Sequence, residues 1–168
     1  MALMALGPKD GVDRLEVRKL AAAAGVGRST FYKHYADKDD FLIKSFAGMI
    51  AGMDTHARTH RRDYDTMLPA REVFAHVQEA RAFALSLVAS GQFARTATAR
   101  EDVLRVIAEA NLRRLRPALP LQRRQEIAVV LAAAFMGLMR WWMEGGLRKD
   151  AAYAAGLYEA TARRVLAG

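Results

Sequence analysis

The chain has no cysteine. That excludes a disulfide framework, a thiolate nucleophile and any cysteine metal site, and it suits a reducing compartment. Proline is scarce, with four residues in 168, so few points along the chain stop a helix. Aromatic residues make up 8%, and no stretch alternates apolar and polar residues as a half-buried strand does. The longest apolar run, Ile127 to Met139, is thirteen residues and ends at Arg140. It is too short to span a bilayer and reads as the middle of a buried core helix. No basic start followed by a long apolar stretch opens the chain, so no signal peptide, no membrane partner and a cytoplasmic location are expected. Acidic residues are outnumbered, 18 Asp and Glu against 26 Lys and Arg, which leaves a net charge of +8. Such a balance suits a polyanionic partner. The excess is not concentrated, since residues 1–62 hold eleven basic against seven acidic side chains and the remainder fifteen against eleven. Charge alone therefore does not locate a nucleic-acid site.

What is plentiful (alanine, leucine, arginine, methionine) favours helices, and the expected fold class is all-α. The most informative stretch is VRKLAAAAGVGRSTFYKHYADK, from Val17 to Lys38. Val17, Leu20, Ala21 and Ala24 recur at the spacing of a buried helical stripe. Gly25 stands where a helix must stop, because a left-handed cap costs glycine nothing. Val26 plugs the turn, and Ser29 or Thr30 is available to cap a second helix. Phe31 and Tyr35, four apart, give that second helix a dry side. Arg28, Ser29, Thr30, Tyr32, Lys33 and His34 give it a donor-rich side. This is a helix-turn-helix, and a rod with one dry and one donor-rich side suits the major groove of DNA. Arg28 can bond a guanine edge, and Lys33 a guanine or a phosphate. Thr30, Tyr32 and His34 suit phosphate oxygens, with Thr30 also able to touch a thymine methyl.

These residues carry a specific resemblance. The run VRKLAAAAGVGRSTFYKHYADKDDFL resembles the DNA-binding signature of TetR-type (TetR/AcrR) transcriptional regulators, V-R-x-[IL]-A-x-x-A-G-V-x-x-x-[TL]-[FL]-Y-x-[HY]-[FY]-x-x-K-x-x-L, in nearly every fixed place. The likeness is strong from Ala5 to Ile43 and architectural beyond. It implies phosphate contacts at Arg18 and Lys38, which stand at matching positions. It also implies a homodimer reading a palindromic operator in double-stranded DNA, and a small effector bound among C-terminal helices that swings the linking helix. Two places depart from the pattern. Glu16 replaces the usual Ser or Thr, and only Ala2 to Leu6 matches the tail of the family's first helix. That helix is either truncated or begins upstream of Met1.

Domain limits follow as 1–44 for the helix-turn-helix DNA-binding domain and 45–168 for the ligand-binding and dimerisation domain. Asp37 to His60 is predicted as one long linking helix, capped by Asp37, with Leu42, Phe46, Met49, Ile50 and Met53 as its apolar stripe. Tyr64 to Pro69 is predicted as a linker. Pro69 then opens a helix whose period runs to Ser90-Gly91. Ala97 to Arg116, Leu121 to Glu144 and Ala151 to Leu166 complete the set. Ala132, Ala133, Ala134 and Gly137, with Ala151, Ala152, Ala154, Ala155 and Gly156, leave shallow surfaces on the last two helices. A pair of such helices can meet its copy in a four-helix bundle, the dimer that the resemblance implies. Phe74, Phe83, Phe93, Phe135, Met139 and Trp142 are the candidates for lining an effector pocket. Their character points to an apolar or aromatic effector. Trp141 points away from its neighbour Trp142.

Catalytic and metal chemistry is not expected. His56 and His60 have a ligand spacing, but HARTH lacks the glutamate of a zinc protease motif. Gly25-Val26-Gly27 has no lysine at the nucleotide-loop position, and Asp37, Asp39 and Asp40 are ordinary company for a helix start. No cofactor is implied. The function expected is a ligand-responsive repressor. The competing class is a helical, dimeric ligand- or protein-binding module that has lost DNA binding.

Overall fold

A computed structural model describes residues 27–61 and 64–167 of the chain. Among these residues every regular element is an α-helix. The first, α1 (Arg28–His34), begins at Gly27 with extended backbone and no side-chain cap. Ser29 and Thr30, the expected caps, already lie inside its first turn, so their oxygens sit beyond the reach of the capping position. The linking helix α2 (Lys38–His60) starts as expected, with the Asp37 carboxylate accepting from the Asp40 amide at 2.8 Å. Asp40 returns the favour by accepting from the Ala36 amide at 2.9 Å. Leu42 and Ile50 are buried, and Phe46, Met49 and Met53 pack half-buried on the same core. At 1.5 Å per residue, α2 is a rod of about 35 Å.

The segment after α2 is not a solvated linker. Tyr64, Thr66, Met67 and Leu68 are all buried. Met67 takes a left-handed backbone, φ 67°, a conformation that costs a side-chain-bearing residue about 1 kcal/mol or more. It is held there by its own burial and by Asn111, whose Nδ2 donates to the Met67 carbonyl at 3.1 Å.

The helix expected from Pro69 to Ser90 is broken at Ala80 into α3 (Ala70–Glu79) and α4 (Arg81–Ala89). Arg81, just past the break, donates to the carbonyls of Leu147 (3.0 Å) and Gly146 (2.6 Å), and the Gln78 side chain accepts from the Ala151 amide. The bend thus lays both halves against one distant loop. Gly91, at φ 69°, ends α4 in the left-handed conformation that glycine adopts freely. A short α5 (Gln92–Arg95) leads to α6 (Ala97–Leu115), then α7 (Leu121–Glu144) and α8 (Ala151–Ala167).

Helix α7 is the centre of the packing, lying against α4, α6 and α8, while α8 also covers α3. Phe74 of α3 meets Phe135 (5.3 Å between ring centres) and Trp142 (5.2 Å) of α7, and Phe135 meets Tyr158 of α8 at 5.0 Å. The Phe74–Trp142 and Phe135–Tyr158 pairs are edge-to-face, a geometry that adds to the burial itself. By length and composition α7 could cross a membrane, yet half of its most apolar window is buried in this packing, as in the core helix of a soluble bundle. An ionic cluster ties three elements beside it. Glu159 of α8 is buried and takes Arg61 at 2.9 Å and Arg71 at 2.8 Å, while Arg61 also reaches Glu72 at 3.2 Å.

Candidate nucleic-acid interface

The seven residues of α1 divide cleanly. Phe31 is 2% exposed and packs against Tyr35 (5.0 Å) and Phe41 of α2 (5.5 Å), while Tyr35 meets Phe41 edge-on at 4.9 Å. This three-ring wedge fixes how α1 rolls on the start of α2. All six residues expected on the outer side, Arg28, Ser29, Thr30, Tyr32, Lys33 and His34, are exposed. By the 3.6-residue period, Ser29 and Lys33 lie opposite the wedge. Thr30 and His34 share one flank, and Arg28 and Tyr32 the other. The Arg28 guanidinium stands 5.8 Å from the centre of the Tyr32 ring, an i,i+4 pairing that splays both along the surface.

Lys44 of α2 is a contributor that sequence reasoning missed. Its Nζ donates to the His34 carbonyl at 3.0 Å and to Asp40 at 2.9 Å, and it stands 5.7 Å from the Tyr35 ring centre. One cation therefore satisfies the C-terminus of α1 and anchors it to the next helix. The Asp40-to-Lys44 spacing was the available signal. The hydrogen bonds from Lys44 and then from the Ala36 amide hold the Asp40 carboxyl below its ordinary range. Lys38 is half-buried in the first turn of α2, and Arg18, Glu16 and the segment Ala2 to Leu6 lie outside the described residues.

The reader is joined to the body a short distance along α2. Asp39 accepts from the Gln92 side chain and stands 3.9 Å from Arg95. Deeper in, Arg100 of α6 lies between Phe46 of α2 (5.2 Å) and Phe93 (5.4 Å), with its Nε sealed from water and without an acceptor. Burial pulls its pKa down to about 10.

The six candidates for an effector pocket have different surroundings. Phe74, Phe135, Met139 and Trp142 are buried against one another, and the Trp142 Nε1 donates to the Lys149 carbonyl at 2.8 Å. Phe93 sits under Arg100, and Phe83 of α4 packs half-buried against the core. The expected dimer surface also divides. Ala132, Ala154 and Ala155 belong to the chain's own core, whereas Ala133, Gly137, Ala152 and Gly156 are exposed. His56 and His60 stack on each other at 4.3 Å, and among the described residues no group of three or more possible metal ligands occurs.

Residues 3–44 fit the family described as "Bacterial regulatory proteins, tetR family". No curated protein matches the chain. The matched segment ends with the α1 wedge and the start of α2, the elements that present the donor face. Residues 3–44 are thus similar to the N-terminal segment of a family of DNA-binding transcriptional regulators.

Proposed function

We propose that the protein is a ligand-responsive repressor that works in the cytoplasm and binds a palindromic operator as a homodimer. The observation that carries this is the outer side of α1: six donor-capable side chains in the open, backed by a ring wedge that holds them still. Arg28 and Lys33 are assigned to guanine edges, with Lys33 also within the class of phosphate ligands. Ser29, Thr30, Tyr32 and His34 are assigned to backbone oxygens, and Arg18 and Lys38 to flanking phosphates. Residues 1–44 act as reader and 45–168 as the ligand-binding and dimerisation part.

Support for the dimer comes from α7 and α8. Val129, Val130 and Trp141 of α7 are roughly half exposed, as are Tyr153 and Leu157 of α8. Ala133, Gly137, Ala152 and Gly156 lie exposed among them. Large apolar side chains alternating with small ones on two adjacent helices suit a self-complementary, four-helix contact. Such a pair would set two copies of α1 about 34–36 Å apart, one turn of DNA. An apolar or aromatic effector among Phe74, Phe83, Phe93, Phe135, Met139 and Trp142 would have to open the Phe74–Phe135–Trp142 contacts, and that repacking would be its lever on α2.

Selection of bound sequences from a random duplex pool tests the proposal. The expected product is a two-fold symmetric consensus with half-sites about one turn apart. A pool that emerges unenriched would instead favour the helical module that does not read DNA.

A further inference from the structure

Near the C-terminal end of α2, the seam between α2 and α6 opens into a groove of about 450 Å³. Its floor is Asp54 and Asn111, its walls are short apolar side chains including Ile107, and its rim is Arg58, Arg113 and Arg114. The floor is already satisfied. Asp54 accepts from the Tyr64 hydroxyl, from Asn111 Nδ2 at 2.7 Å and from Arg58 Nε at 2.9 Å. Burial, then Asp54, push the Tyr64 hydroxyl well above its ordinary pKa, so it stays a donor to that carboxylate. The rim is not satisfied in the same way. Among the described residues Arg113 has no hydrogen bond or ion pair, and Arg114 has only a 3.4 Å bond to Asn111 Oδ1. Among the lining residues three guanidiniums accompany one carboxylate, an excess of two positive charges around a recess with apolar walls.

We propose that this groove binds a small organic carboxylate. The Arg113 and Arg114 forks take the carboxylate, as planar guanidiniums do in paired geometry. The apolar body lies against Ile107 and the alanines beside it. DNA phosphate is not the occupant, because Arg58 stands twenty residues along α2 from Lys38, about 30 Å at 1.5 Å per residue. A carboxylate bridging Arg58 of α2 to the two arginines of α6 would change how the linking helix is held. That consequence rests on the regulator reading above, whereas the binding itself does not.

Titration of the full chain by isothermal calorimetry at constant ionic strength, with hexanoate, hexanamide and inorganic phosphate, tests it. Hexanoate should bind saturably at millimolar concentration, and the other two about tenfold more weakly or less. The double variant Arg113→Ala, Arg114→Ala changes only exposed side chains and should lose at least about tenfold for hexanoate. Circular dichroism checks its fold, and Arg113→Gln, Arg114→Gln serves if the alanine pair misfolds. Equal binding of hexanoate and hexanamide overturns the proposal, as does phosphate matching hexanoate, an unaffected variant, or no saturable hexanoate binding. Duplex binding is measured on the same preparations. Protein that holds duplex but not hexanoate loses this inference and keeps the regulator reading; the reverse result does the opposite.

Discussion

The two ends of α2 are held by different chemistry. At its N-terminal end the attachments are rings, half-exposed charges and one buried cation: the Phe31–Tyr35–Phe41 wedge, the Asp39 contacts with Gln92 and Arg95, and Arg100 between two phenylalanines. At its C-terminal end a buried carboxylate, Asp54, is bonded to Tyr64, Asn111 and Arg58, and Arg61 enters the Glu159 cluster. Exposed pairs contribute little and re-form easily, whereas a buried charge without its partners is expensive. On that ground the far end of the rod should be held more firmly than the end that carries α1. A rod pinned at one end turns a small change near the pin into a larger displacement at the other.

The largest break in that comparison is Asp54→Ala. It strands the Tyr64 hydroxyl in the interior, removes one of the acceptors of the Asn111 amide and should cost about 3 kcal/mol in urea unfolding at fixed protein concentration. Arg100→Met acts in the opposite direction. It replaces a buried guanidinium that has no carboxylate partner among the described residues with an apolar chain of similar length. The two ring contacts offset part of the burial cost of the charge, so the variant should be about 1 kcal/mol more stable. Arg95→Ala, which removes a 3.9 Å pair between half-exposed side chains, should shift the same unfolding curve by less than about 0.5 kcal/mol. If Arg95→Ala and Asp54→Ala cost the same, the two ends are not different in kind.

The smallest effect is a pH dependence at the reader. The folded-state pKa of Asp40 is depressed by Lys44 and by the Ala36 amide. Its contribution is therefore present above the ordinary carboxylate pKa and is lost as pH falls through the lowered value. Amide hydrogen exchange of residues 36–44 should accelerate with acidification beyond the intrinsic trend, and Asp40→Asn should flatten that response.

Much of the reader was legible in the sequence, because its determinants are local. The four-residue spacing of Phe31 and Tyr35 marks the dry side, and the helical period places the donors opposite. Asp37 announced the start of α2 because a cap acts on the next three residues. What escaped was set by distant partners. Glu79-Ala80-Arg81 has high helix propensity, yet the chain bends there where Arg81 finds the carbonyls of Gly146 and Leu147. Met67 is left-handed beside Asn111, which is 44 positions away. The alanines of the last two helices could not be sorted by type, since Ala132 faces the core and Ala133 faces out. Nor does side-chain type alone reveal that Phe74 touches both Phe135 and Trp142.

The central claim is that the outward side of α1 grips a duplex. Fluorescence anisotropy of a labelled duplex as a function of salt, for the wild type and for Lys33→Ala, tests it most directly. The account expects steep loss of wild-type affinity with rising salt, and a Lys33→Ala line that is weaker and shallower by about one unit per subunit in the log–log slope. A wild-type affinity that ignores salt, or a Lys33→Ala line that overlays it, would contradict the account.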